Sequence, residues 1–219
     1  MTKNRELWKK KTDLLNALGK CLSTRGFPAR PSGYSFRKKT AFGNVAVHLN
    51  VAQYETEFHA AVHVSVRFDA VEDLINACNE LLTPAEKKKT ATFGCELGNL
   101  RDGRRREWRV VVGRSDPEKI AKEMAELVFE IGVPYFERYS SLEEVYAVFS
   151  SDDVDAGIHV APPLWRGERA VALGFVIGGA AEARRMIEAK RKYFGGQNPR
   201  HARLFEKFVT CFEKQVGME

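Results

Sequence analysis

Apolar side chains recur along this chain with two periods, and the switches between them mark its elements. Leu7, Leu14, Leu18 and Leu22, with Trp8 and Leu15 beside them, repeat at helical spacing, while Lys9, Lys10, Asp13, Asn16 and Lys20 take the opposite side. A helix with one buried stripe is expected. Gly26-Phe27-Pro28, then Pro31 and Gly33, end it in an irregular turn. Tyr34–Arg37 alternates as a short strand. Val45, Val47, Leu49 and Val51 then share one face, with Ala46, His48, Asn50 and Ala52 on the other. Beyond Tyr54–Glu57, the series Phe58, Ala60, Val62, Val64, Val66 and Phe68 alternates with His59, Ala61, His63, Ser65 and Arg67. Period two with β-branched residues predicts an antiparallel hairpin buried on one face.

Asp69 with Glu72 reads as a capping box opening a helix on the stripe Val71, Leu74, Ile75, Cys78 and Leu81. Residues 92–97 and 106–112 read as a second hairpin around Asp102-Gly103. Its expected register sets Leu97 opposite Trp108, Cys95 opposite Val110 and Glu96 opposite Arg109, an opposite-charge pair. Asp116-Pro117 caps a helix whose stripe is Ile120, Met124, Leu127, Val128 and Ile131, and Gly132-Val133-Pro134 breaks it. Ser140 with Glu143 is a second capping box, and an acidic loop follows from Ser150 to Asp155. Residues 170–177 are apolar almost all round, so helix and strand both remain open. Ala183, Met186, Ile187 and Phe194 mark a helix with Arg184, Arg185, Lys190, Arg191 and Lys192 outside. Asn198-Pro199 caps a last helix on Leu204, Phe205, Phe208 and Phe212.

This order predicts the α+β class: an antiparallel sheet of about five strands covered on one face by helices, with a helical C-terminal part. The expected division is an α+β domain over 1–150 and a helical extension over 151–219.

Composition narrows the classes. The 219 residues are 44% hydrophobic and 29% charged, enough for a proper core. The net charge is +6, but residues 1–110 hold 20 basic and 12 acidic side chains, so the excess lies early in the chain. Cys21, Cys78, Cys95 and Cys211 are far apart and sit in apolar patterns, which reads as four reduced thiols in a cytosolic protein. Met1–Lys11 lacks the apolar core of a secretion signal. Residues 170–181 are too short to span a bilayer, which takes roughly 20 residues. A cytoplasmic protein without a membrane partner is expected.

A resemblance emerges from local motifs: Arg25-Gly26-Phe27, Tyr34-Ser35-Phe36-Arg37, Val51-Ala52-Gln53, the strand from Phe58, Trp108, and Val133-Pro134-Tyr135-Phe136 before Ser140-Ser141-Leu142-Glu143-Glu144. Over roughly residues 5–150 the chain resembles the uncharacterised bacterial family called domain of unknown function 4304. The resemblance implies an α+β fold and brings no activity, cofactor or catalytic residue.

The candidate chemistry is sparse. A tight turn at Tyr54–Glu57 would set His48 opposite His63, with His59 diagonally near on the outer face and no carboxylate in register there. Two imidazoles can ligate a divalent metal, respond to pH, or line a recognition surface. Arg101, Arg104, Arg105 and Arg106 crowd one loop, where guanidinium forks suit phosphate or carboxylate, or merely keep the hairpin tip solvated. Arg184–Lys192, with Tyr193, carries the same ambiguity. Asp152-Asp153 and Glu143-Glu144 read as solvated acids. Gly178-Gly179 reads as a helix hinge or cap, and phosphate-loop, dinucleotide-loop, nucleophile-elbow and zincin motifs are missing from the sequence.

The expectation is a non-enzymatic module with no cofactor or metal that binds another protein through His48, His59 and His63 or Arg101, Arg104 and Arg105. An immunity-type toxin inhibitor is one concrete form. The alternative is nucleic-acid binding through the basic half; the third is a metal protein or enzyme centred on the histidines.

Overall fold

The computed structural model describes residues 3–151, 153, 156–160 and 162–218. Their elements run α1 (Lys3–Ser23), β1 (Ser35–Thr40), β2 (Gly43–Gln53), β3 (Glu57–Phe68), α2 (Asp69–Ala77), α3 (Pro84–Lys87), β4 (Phe93–Glu96), α4 (Leu97–Asp102) and β5 (Trp108–Val111). After α5 (Pro117–Leu127) comes a π-turn (Val128–Gly132), then α6 (Val133–Arg138), α7 (Leu142–Ser150), α8 (Ala156–His159), α9 (Pro163–Gly195) and α10 (Pro199–Val216). A five-stranded antiparallel sheet with helices, and a helical C-terminal part, makes the chain α+β. Of the acidic loop expected after Ser150, Asp152 and Asp155 lie outside the described residues. The chain gathers into two compact units, residues 1–66 with 94–138 and residues 67–93 with 139–219.

In the first unit β1 pairs β2, with Ser35 opposite His48 and Phe36 opposite Val47. The turn into β3 closes where the Tyr54 N–H donates to the Glu57 carbonyl at 2.8 Å. The other edge of β3 is shared. β5 takes its first half, with Glu57 opposite Val111 and His59 opposite Arg109. β4 pairs farther along, its Gly94 lying against Val64 and Ser65.

This corrects the expected second hairpin, because β4 and β5 both pair β3. The reason lies at Glu96. Its carboxylate accepts the N–H groups of Gly98 (2.9 Å), Asn99 (3.0 Å) and Arg106 (3.3 Å). A capping carboxylate satisfies amides that a helix start leaves bare, so the chain coils at Leu97 instead of extending. Glu96 is thereby buried and spent, and Arg109 finds other partners.

Phe36, Val45, Val47, Leu49, Phe58, Ala60, Val62 and Val64 are buried, as are Leu7, Leu14, Leu18 and Leu22 of α1. The α1 stripe reaches the sheet through Gly19: a Cβ there would fall 2.0 Å from the Ala29 carbonyl and 3.0 Å from the Phe36 ring. Behind α5 the chain does not break at Gly132–Pro134. It passes through the π-turn into α6, and Gly132 lets that turn approach Val64.

The second unit corrects further expectations. Cys78 and Cys211 form a disulfide with a Cα–Cα distance of 5.7 Å, while Cys21 and Cys95 are free. Helix packing brings the C-terminal end of α2 to α10, a proximity no sequence spacing signals, and the thiol argument for a cytosolic site loses its support. The N-cap of α2 is Phe68, not Asp69; Asp69 instead accepts from Arg67 Nε at 2.6 Å. Glu72, expected to close the capping box, is fully buried and faces Arg169 of α9 at 3.3 Å. The α7 cap is Ser141, one residue later than expected, accepting from the N–H groups of Glu143 and Glu144. Residues 170–177 are helical. Gly179 kinks α9 with φ at +66°, the left-handed region open to glycine. Beyond the kink, Glu182 accepts from the Tyr146 hydroxyl and from Arg185. The basic face expected here is largely consumed: Lys190 is buried, Arg185 is tied to Glu182, Arg191 pairs Glu206 at 2.8 Å, and Arg184 donates to the Met218 carbonyl. Among the described residues no helix is long and apolar enough to cross a membrane.

Candidate recognition surface

The histidine-bearing face of the sheet in the first unit holds two separate constellations. In the first, His48 is exposed, and its Nδ1 meets the hydroxyl of Ser35, its strand partner, at 2.6 Å. The ring end that meets Ser35 is partly withdrawn from water; this desolvation lowers the His48 pKa, and the neighbouring His63 and Arg37 add to that. His63 is half-buried. Its Nε2 is sealed from solvent with no hydrogen-bond partner among the described residues. Burial lowers the His63 pKa as well; Glu96 opposes this and Arg105 reinforces it. The Tyr54–Glu57 turn and the influence of His63 on His48 bring the two imidazoles into one neighbourhood.

His59 belongs to the second constellation. Its Nε2 meets Glu57 Oε1 at 3.1 Å and its Nδ1 meets Glu107 Oε2 at 3.2 Å. Carboxylates therefore do stand on this face, against expectation. Glu57 lies two residues before His59 on β3 and so shares its face, and the pairing of β5 with β3 brings Glu107 and Arg109 to the same face. The chain of charges continues at both ends. Arg109 donates from Nε to Glu57 Oε2 at 2.7 Å, and Arg105 reaches Glu107 Oε1 at 2.8 Å. The Arg109 guanidinium, followed by His59, holds the Glu57 carboxyl below the usual carboxylate range. Five charged or ionisable side chains thus run in order: Arg105, Glu107, His59, Glu57, Arg109. The ring of Tyr54, 52% exposed, lies against the imidazole with centroids 4.9 Å apart. A second exposed tyrosine, Tyr34, directly precedes Ser35.

Arg101, Arg104 and Arg105 are all exposed at the end of α4 and the loop after it, where Gly103 takes a left-handed conformation. Arg106 departs from this group: it is half-buried, its guanidinium 4.7 Å from the Trp108 ring centroid. Of the three exposed guanidiniums only Arg105 has a partner among the described residues.

The arrangement limits the chemistry. Both ring nitrogens of His59 are occupied by carboxylates, which leaves no lone pair aimed at a common point. Among the described residues no group of three His, Cys, Asp or Glu is placed to hold a metal ion. The buried thiol of Cys95 is pushed up to about 12, chiefly by burial, which keeps it protonated and inert. Sequence reading singled out His59 but missed Tyr54, Glu57, Glu107 and Arg109. The signal for them was the alternation E-x-H facing E-x-R, legible only once β5 is set against β3.

Comparison with family models, with curated proteins and with solved structures finds no match. The resemblance noted above therefore stands on its quoted motifs alone, and the functional reading rests on the surface itself.

Proposed function

We propose that the protein is a non-enzymatic binding module that engages another protein through the Tyr54–His59 surface. The observation that carries this is the exposed Tyr54 ring held against an imidazole that is itself fixed between two carboxylates. Tyrosine and arginine are the residues enriched at interface hot spots, and Tyr54 stands here beside a strip that holds Arg105 and Arg109. Groups already ordered before contact lose less freedom on binding, which favours association. A toxin inhibitor of the immunity type is one concrete form of such a module.

Affinity capture from the native host, read by mass spectrometry, tests the reading with wild type, Tyr54→Ala and His59→Ala side by side. A protein retained by wild type and reduced about tenfold or more by Tyr54→Ala supports it, the size expected of a hot-spot aromatic. Equal capture by all three, with unchanged circular dichroism, removes the surface from consideration. Stoichiometric metal in purified protein, lost in His48→Ala, would replace the reading with a metal centre.

A further inference from the structure

We infer that the partner is an acidic protein, whose carboxylates are received by the exposed guanidiniums of Arg101 and Arg104 beside the Tyr54–His59 surface. The inference rests on the binding reading above and specifies its occupant. Three observations carry it. The first is continuity along the chain: Arg105 pairs Glu107, Glu107 meets His59 and His59 supports Tyr54, and Arg101 and Arg104 lie in the short segment at the end of α4 that leads into Arg105. The second is availability. Arg105, Arg109, Glu57 and Glu107 satisfy one another, whereas the side chains of Arg101 and Arg104 are exposed and without partner among the described residues. A planar guanidinium presents two parallel donors that match a carboxylate. The third is charge. The unit that holds the strip carries 20 basic and 13 acidic side chains, against 15 and 16 in the other, so the +6 excess comes from this unit. Such a field draws acidic partners and speeds their encounter.

A protein suits this strip better than a nucleic acid does. Nucleic-acid surfaces of this size combine cationic tracks with stacked aromatic platforms or a helix that enters a groove, and here one tyrosine stands among mixed charges.

The test uses the full-length protein, with fluorescently labelled poly-L-glutamate and a labelled single-stranded DNA of equal charge as probes, read by anisotropy over a salt series. Poly-L-glutamate is expected to bind more tightly than the DNA, with affinity falling as salt rises. Arg101→Glu with Arg104→Glu should weaken it about tenfold or more, an effect in the range of charge pairs at interfaces. Arg101→Gln with Arg104→Gln, which removes the charge without reversing it, should give a smaller loss in the same direction. Both sites are exposed, and an unchanged circular dichroism spectrum establishes that the variants fold. Tighter binding to DNA overturns the inference in favour of a nucleic-acid partner. Poly-L-glutamate binding that is absent, or indifferent to both double variants, also overturns it. Either result leaves a Tyr54-dependent protein capture intact, so failure here and failure of the binding reading are separable.

Discussion

His59 and Glu107 stand 48 residues apart in sequence and meet at 3.2 Å, because β5 lies along the first half of β3. The contact fastens the loop carrying Arg104 and Arg105 to the sheet. Glu107→Ala removes the anchor and should speed hydrogen exchange at the amides of residues 104–107, while Glu107→Gln, which keeps an acceptor, should leave it close to wild type. Identical exchange in wild type and Glu107→Ala would show that the ion-pair chain does not order the loop.

The paired imidazoles make the first unit sensitive to acid. The pKa values of His48 and His63 are lowered in the fold, so the unfolded chain binds protons more readily in this range. Their contribution to stability is present above the unfolded value of about 6.5 and is lost as pH falls through the folded values. The melting temperature should drop between pH 7 and pH 5, and His63→Gln should flatten that fall. An equal fall in the variant would assign the acid sensitivity elsewhere.

Glu168 in the second unit acts with the opposite sign. Burial holds its carboxyl up to about 7, with Glu72 adding and Arg169 opposing. A raised carboxyl contributes stability that is present below its unfolded pKa and lost as pH rises through 7. Glu168→Gln should therefore gain stability relative to wild type between pH 6 and pH 8, measured by urea denaturation. A constant difference across that window would contradict the assignment.

Arg169 is 8% exposed and Glu72 wholly buried, and each retains one atom without a hydrogen-bond partner among the described residues. Removing one member of such a pair strands the other charge, which costs about 3–5 kcal/mol. Arg169→Met should be strongly destabilising in chemical denaturation. Arg169→Met with Glu72→Met, which removes both charges, should recover most of the loss; no recovery would mean that Arg169 acts mainly through its bond to the Ala91 carbonyl.

The Cys78–Cys211 bond spans 133 residues of sequence, a separation for which chain-entropy arguments give about 5 kcal/mol of stabilisation. Thiol titration of denatured protein should find the two free cysteines before reduction and all four after it. Reduction should lower the melting temperature. Four reactive thiols in untreated protein would show that the bridge does not form in solution.

Local periodicity determined a good deal by itself: the α1 stripe, the β2–β3 hairpin and its turn at Tyr54–Glu57, the Asp116 and Asn198 caps, and the placing of the histidines on the less buried face. Each of these depends on neighbours a few residues apart, and a period of two or of 3.6 records which side of an element meets the core. Tertiary structure decided the rest. Glu96 could serve as a cross-strand partner or a helix cap, and only the close approach of Gly98 to Arg104 selected the cap. That choice sent β5 to β3 and assembled the Glu57–His59–Glu107 contact. Glu72 turned from a cap into half of a buried ion pair because α9 brought Arg169 to it, and Cys78 met Cys211 because α10 lies beside α2. The strip proposed for recognition depends on contacts between residues far apart in sequence, and periodicity carries no information about which strand lies next to which.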